Sequence, residues 1–305
     1  MTLLVMGSVN RDITAQLPEF PQPGETLLAT GSETATGGKS ANQAVAAAMV
    51  GARAHLIARC GSDAAGAEAV RSLREVGVHV DAVTPGRAAQ GTAFIAVRTD
   101  GENTIVVVPG ANAELRAQDC PQHLLEKAEW ILLSLEVPLA TVLETAARAR
   151  AAGVKVALNA SPSPGQPLDL RDVDLVIVNE GEAAALLAGA GAAEPGSQPE
   201  DLAAALGLET LIVTRGAAGA SIHACGHATV QVPSVEVQAV DTSGAGDAFT
   251  GALLGRITCG DSLETASAIA ARFAASATTR VGAQASYPRD FQVDEPSVFT
   301  VARDS

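Results

Sequence analysis

Aromatic side chains are scarce in this chain: they make up 3% of its 305 residues, with one Trp and one Tyr. With 47% hydrophobic residues at this length a sizeable core is still available. The packing must therefore come from small aliphatic side chains, which suits helices lying close over a sheet. Basic residues are also in short supply. There are 20 Lys and Arg against 34 Asp and Glu, a net charge of −14, and this balance argues against nucleic acid or an anionic membrane as the main partner. An anionic substrate would need a locally positive site. The four cysteines, Cys60, Cys120, Cys225 and Cys259, are too widely spaced for a C-x-x-C pair or a disulfide framework, and are expected to be reduced core thiols. No apolar run reaches the roughly 18 residues of a membrane span, and no basic segment followed by an apolar one opens the chain. A soluble, cytoplasmic protein is expected.

What is present is an alternation of elements. Apolar runs of strand length stand at 2–9, 54–60, 130–133, 155–158, 175–178 and 210–214, and helical patterns at 44–50, 64–76, 139–152, 181–187, 199–206, 248–256 and 263–280. Strand and helix in turn predict an α/β fold, a central and mainly parallel sheet flanked by helices. No repeat or linker divides the chain, so residues 1–305 are expected to form one domain, with the Ala/Gly-rich segment 188–196 as a loop. Two stretches break the rhythm. Pro18, Pro21, Pro23 and Gly24 punctuate 13–36, where 26–36 reads as strand, and within 91–109 the segments 92–97 and 103–108 read as a hairpin turned at Asp100-Gly101. These antiparallel inserts are expected to pair into a small β lid. Its edges would be covered in a homodimer.

Polar residues gather where strands end. Asn10 and Asp12 follow the first strand and point the same way, as turn residues or as ligands at the edge where open α/β sheets bind. Gly37-Gly38-Lys39-Ser40-Ala41-Asn42-Gln43 opens a helix, with Lys39 either solvated or facing an anion. It is not a Walker A loop, because position 33, where that spacing needs glycine, is Glu33. Likewise Gly7-Ser8-Val9-Asn10 is not the G-x-G-x-x-G turn of a nicotinamide dehydrogenase. Glu136, Asn159, Asn179 with Glu182, and Thr214-Arg215-Gly216 end later strands. Near the C-terminus, Val240 to Gly251 combines a Gly244-Ala245-Gly246 turn with Asp247 at a helix start. Free amides there would receive an anion. Asp247 is then an ordinary N-cap or a general base that takes a proton from a hydroxyl while the amides hold a transferring phosphoryl group.

These residues resemble the ribokinase-like (PfkB) carbohydrate kinases over essentially the full length. The most specific pieces are Gly37-Gly38-Lys39 with Ala41-Asn42-Gln43, and Ala239-Val240-Asp241-Thr242 with Ala245-Gly246-Asp247. The resemblance implies transfer of the ATP γ-phosphoryl group to the C5 hydroxyl of a pentose, D-ribose foremost, with 2-deoxyribose, fructose, adenosine or pseudouridine as alternatives. It further implies that Asn10, Asp12, Gly38, Lys39, Asn42 and Glu136 bind sugar, Asp247 is the base, and Gly244, Ala245 and Gly246 form the anion hole. Asn179 and Glu182 would place phosphate and Mg²⁺, and Thr214, Arg215, Gly216 and Gly219 would line the nucleotide site. Asp241, Ser243, Ala277, Arg280, Gly282 and Ser286 would hold K⁺. Ser40 replaces a glycine common in the sugar loop and is expected to crowd or bond the ligand. Ala271 stands where an adenine-edge side chain is sometimes found. A catalytically silent sugar sensor is the reading from a different class, and intact Lys39, Asp247 and glycine turn speak against it.

Overall fold

The computed structural model describes residues 1–99, 102–189, 191, 199–294 and 302–303. The expected turn at Asp100-Gly101 lies outside the described residues, as do positions 190 and 192–196 of the expected loop. In chain order, β1 (Thr2–Met6), β2 (Asn10–Leu17) and β3 (Gly31–Gly37) lead to α1 (Lys39–Met49), β4 (Arg53–Cys60), α2 (Ala64–Glu75) and β5 (His79–Pro85). Next come β6 (Gly91–Arg98), β7 (Asn103–Val108), α3 (Gln122–Leu125), β8 (Trp130–Ser134), α4 (Leu139–Ala151), β9 (Lys155–Asn159) and β10 (Leu175–Asn179). The chain continues with α5 (Glu180–Gly189), α6 (Pro199–Ala205), β11 (Thr210–Thr214), β12 (Ala220–Ala224) and β13 (Val230–Val232). It closes with α7 (Ala245–Thr258), α8 (Leu263–Ala277) and β14 (Ala302–Arg303).

A ten-stranded sheet runs β14-β13-β12-β11-β10-β9-β8-β1-β4-β5 and is parallel from β11 to β5. Its apolar runs are continuous because both faces are covered. Successive residues of β1 show this: Leu3 and Val5 enter one core with α1, α2, α7 and α8, while Leu4 and Met6 enter the other with α3 to α6. The second sheet has the order β3-β2-β6-β7. Two antiparallel hairpins, one from each insert, are joined by the parallel pair β2–β6.

Several boundaries differ from the sequence expectations. The first strand ends at Met6, and the chain crosses at residues 7–9 to the small sheet, so Asn10 and Asp12 begin β2. The strand expected from Thr26 starts at Gly31. Helix α1 begins at Lys39, five residues before the expected Ala44, because Ser40, Asn42 and Gln43 are buried polar partners within the fold. Helix α8 stops at Ala277 and not Arg280, where the amides of Val240 and Asp241 take the Thr278 carbonyl. Strands β5, β12, β13 and β14 lay outside the sequence reading. The cysteines also divide. Cys60 and Cys120 are buried, with thiol pKa values pushed up by burial to about 12 and about 11, but Cys225 and Cys259 follow β12 and α7 at exposed turns and are not core thiols.

Candidate active site

Helix α7 is capped by Gly244, whose φ of 72° is a left-handed conformation that only glycine adopts freely. Asp247 is the third residue of the helix and not its N-cap, because the turn closes three residues earlier at Gly244. Its buried carboxylate faces α1: Oδ2 accepts from Asn42 Nδ2 (2.9 Å) and Oδ1 from Gln43 Nε2 (2.9 Å). The two helices come this close because Gly251 lacks a side chain; a Cβ there would lie 2.2 Å from the Gln43 carbonyl oxygen. At the helix start the Ala245 amide donates back to the Thr242 carbonyl (3.2 Å). The amides of Gly244, Gly246 and Asp247 have no partner among the described residues. They are free donors at the positive end of the helix dipole.

A cavity of about 260 Å³ on one side of Asp247 is lined by Asn10, Asp12, Gly38, Lys39, Asn42 and Glu136, all six expected sugar residues. Strand β2 puts Asn10 and Asp12 on one face. Gly38 has φ 91°, and a Cβ there would press within 2.8 Å of the Asn10 amide nitrogen. Asn10 Oδ1 accepts from Asn112 Nδ2 (2.8 Å), which turns the Asn10 NH₂ group into the available donor. Glu136 Oε2 accepts from Ser8 Oγ (2.6 Å) and from the Lys39 amide (3.1 Å). The small sheet closes the cavity with Ala93, Ile95, Val97, Ile105 and Val107. Ser40 is not part of it: fully buried, it shares a hydrogen bond with Ser134 Oγ (2.8 Å) over Gly7, because its helical position turns it toward the sheet.

The electrostatics are those of a desolvated acceptor cluster around one cation. Burial, then the charges of Glu136 and Asp247, push the Asp12 carboxyl up to about 7. Asp247 is also raised, by burial above all, against the opposing pull of Lys39 and of the two amides. For Lys39 burial favours loss of the proton, but Asp247, Glu136 and Glu182 outweigh it and hold the ammonium above its ordinary value.

On the other side of the α7 start, a space of about 200 Å³ is lined by Lys39, Asn159, Asn179, Glu182, Thr214, Gly244, Gly246, Asp247 and Thr250. It leads to a cleft of about 370 Å³ walled by Thr214, Gly216, Gly219, Val235, Val237, Phe249, Ala271 and Ala274. Ala271 thus contributes apolar wall and no hydrogen bond to a base edge. Arg215 shapes the loop through its amide, bonded to the Gly219 carbonyl (2.7 Å), and its side chain is not part of the wall. Asn179 and Glu182 cap α5 reciprocally: the Asn179 amide donates to Glu182 Oε2 (2.9 Å) and the Glu182 amide to Asn179 Oδ1 (2.8 Å). Glu182 Oε1 takes no hydrogen bond among the described residues, and Glu182 lines this space, so it could serve as a hard oxygen ligand there.

The expected K⁺ residues form a neighbouring loop pair. Asp241 accepts the Ser243 amide on Oδ1 and the Gly282 amide on Oδ2 (2.8 Å each), contacts that hold its carboxyl below the usual range despite burial. The carbonyls of Asp241, Ser243, Arg280 and Gly282 accept no hydrogen bond among the described residues, a donor set that suits a weakly hydrated monovalent cation. Ala277 and Ser286 are less open, since the Ala277 carbonyl meets the Arg280 amide at 3.5 Å and Ser286 Oγ donates to the Ala283 carbonyl (2.8 Å). Sequence reasoning passed over the supporting groups Ser8, Asn112, Gln284 and Gln43. Of these, Gln43, Asn112 and Gln284 lie in the segments Gly37–Ala46, Gly110–Asn112 and Gly282–Gln284 that carry the family resemblance.

A base-like carboxylate at a helix N-terminus, between a polar pocket and a nucleotide-sized cleft, defines a small-molecule phosphotransferase. The chain belongs to the pfkB family of carbohydrate kinases, whose family model matches residues 2–290. Within it, the chain is similar to ribokinase of Haemophilus influenzae, 36% identical over 94% of this chain and 95% of that one. It is also similar to a deoxyribokinase of Salmonella typhi, 33% identical over 97% and 98%. The structure of Arabidopsis thaliana ribokinase complexed with ribose and ATP superposes with a TM-score of 0.82 at 29% identity, covering 95% of this chain and 99% of that one.

Proposed function

We propose that the protein is an ATP-dependent ribose kinase that forms ribose 5-phosphate and ADP, with Asp247 as general base. The observation that carries this reading is the position of Asp247, which lines the polar cavity and the phosphate-sized space at once. Asn10, Asn42 and Lys39 donate to sugar oxygens, while Asp12 and Glu136 accept from hydroxyls. A C5 hydroxyl placed against Asp247 loses its proton to the carboxylate as its oxygen attacks the γ-phosphorus. The amides of Gly244, Gly246 and Asp247, with Lys39, hold the charge on the phosphoryl oxygens. Glu182 and Asn179 would help to hold a phosphate-bound Mg²⁺, which would neutralise phosphate charge, and the carbonyls of Asp241, Ser243, Arg280 and Gly282 would hold K⁺, which would order the turn. The ribokinase relatives support the choice of sugar, and the deoxyribokinase supports 2-deoxyribose as the closest competitor.

The test is coupled ADP release with Mg-ATP against D-ribose, 2-deoxy-D-ribose, D-fructose, adenosine and pseudouridine, each in K⁺ and in Na⁺. Selective turnover of ribose, faster in K⁺, is the expected result. A preference for another compound would replace the substrate, and no ATP consumption with any of them would favour a sensor.

The small sheet acts in this reading as a lid within one kinase unit, residues 13–36 and 91–109 closing over the sugar to exclude water. Phe94, Val106 and Val108 lie exposed on it, and an apolar strand face at a sheet edge favours a homodimer through the lid. Val106→Lys is expected to shift sedimentation from dimer to monomer; an unchanged sedimentation coefficient would refute the interface. The protein is expected to act in the cytoplasm. Among the described residues no helix is long and apolar enough to cross a membrane.

A further inference from the structure

Gln43 is fully buried, makes no contact with the sugar cavity, and is not needed by the steps above. Its side chain nevertheless ends on the base. Nε2 donates to Asp247 Oδ1 (2.9 Å) and to Asn159 Oδ1 (3.1 Å). The orientation of this chain of amides is fixed from its far end. Asn159 Nδ2 donates to the Ile177 backbone carbonyl (3.1 Å), which can only accept, so Asn159 presents Oδ1 to Gln43. Between two acceptor oxygens Gln43 must place its NH₂ group. Its own Oε1 is left buried with no partner among the described residues. An orphaned buried acceptor is an uncommon and costly feature, and a role in helix packing alone would be filled better by an apolar side chain.

We propose that Gln43 is a positioning residue for the base: anchored by Asn159 at the end of β9, it holds Oδ1 of Asp247 and leaves Oδ2, shared with Asn42, to receive the substrate proton. Asn42 lines the sugar cavity and its Oδ1 accepts from Gln284 Nε2 (2.9 Å), so its NH₂ group ties Oδ2 to a residue of the sugar side, as Gln43 ties Oδ1 to one outside it. The two amides thus divide the carboxylate into a held oxygen and a working one. The charged or titratable groups that bear on Asp247 are Lys39 from α1, Glu136 after β8, Asp12 from β2 and Tyr287 after α8. The Gln43 bond favours the ionised carboxylate, in the same direction as Lys39 and against burial.

This inference rests on Asp247 being the base. Gln43→Met keeps the volume and removes the amide; Gln43→Glu keeps the shape and puts a second carboxyl against Oδ1. Both are made in the full chain beside Asp247→Asn, with folding checked by thermal melts. For Gln43→Met, kcat is expected to fall about 10- to 100-fold, the scale of one hydrogen bond to a charged group. KM for sugar and ATP should stay within about twofold on the same grounds, since neither ligand is touched. The acidic limb of the kcat profile should move to higher pH, further for Gln43→Glu, where two carboxyls share a proton. If Gln43→Met does not fold, Gln43→Glu alone decides. Unchanged kcat and limb in a folded variant, or a fall in kcat with the limb unmoved, overturns the proposal while an inactive Asp247→Asn leaves the base assignment standing. An active Asp247→Asn removes the base assignment and this inference with it.

Discussion

Turnover of Asp247→Ala is expected to fall by about 10²- to 10⁴-fold, the range for loss of a general base, with KM for sugar and ATP little changed. The carboxylate sits at the junction of the two spaces, and in the proposed mechanism the free amides and Lys39 hold the phosphoryl charge, so its removal strikes the proton transfer. Steady-state kinetics at saturating sugar and Mg-ATP give the number; turnover near that of the parent would remove the base assignment. The same side chain carries a stability signature. Its folded pKa is raised, chiefly by burial, so ionisation costs stability at every pH above the ordinary aspartate range. Asp247→Asn removes that ionisation cost but sets an NH₂ group against one of the amide donors of Asn42 and Gln43, so it is expected to be inactive, and a thermal melt run beside the kinetics separates a catalytic defect from an unfolded one.

Asp12→Asn is expected to lower kcat/KM for the sugar about 10- to 100-fold by removing charged acceptors of its hydroxyls, without changing KM for ATP. In the parent, Asp12 titrates at about 7 because it is buried beside Glu136 and Asp247. Sugar capture should therefore weaken as the pH falls through 7, and Asp12→Asn should lose that limb. Stability runs the other way. A carboxyl raised on folding imposes no penalty below its unfolded pKa near 3.8, a growing one as pH rises toward 7, and the full one above. The upper bound is about 4 kcal/mol at about 1.4 kcal/mol per pH unit, reduced by screening because Asp12 keeps some solvent contact. Sugar-free Asp12→Asn should thus be more stable than the parent at pH 8 and equal to it near pH 4, judged by urea unfolding at both. Equal stability at both would show that the site stores no such cost.

Both variants concern residues that the sequence singled out, and the reasons differ from those for the residues it passed over. The parallel strands were legible because a run such as Leu3–Leu4–Val5–Met6 is apolar on both faces wherever the sheet lies between two helix layers. Strands β12 and β13 stand at the antiparallel side of the sheet, where buried Ser221 and His223 interrupt β12, and β5 forms an edge with mixed burial. Their sequences carry no such run. The N-terminus of α1 was hidden for another reason: Lys39, Ser40, Asn42 and Gln43 have the composition of a loop, and only their partners across the fold make them helical interior.

Local chemistry by itself determined a parallel α/β fold with two β inserts, a glycine turn at a helix start, a carboxylate in that turn, and polar residues at one edge of the sheet. Each follows from neighbours a few residues apart. The tertiary structure decided where those side chains point. Within one turn of α1, Ser40 faces the sheet and Ser134, Lys39 and Asn42 face the cavity, and Gln43 reaches a carboxylate 204 residues away along the chain. Helix phase and the missing Cβ of Gly251 set those directions, and neither can be read from the spacing of the residues that use them.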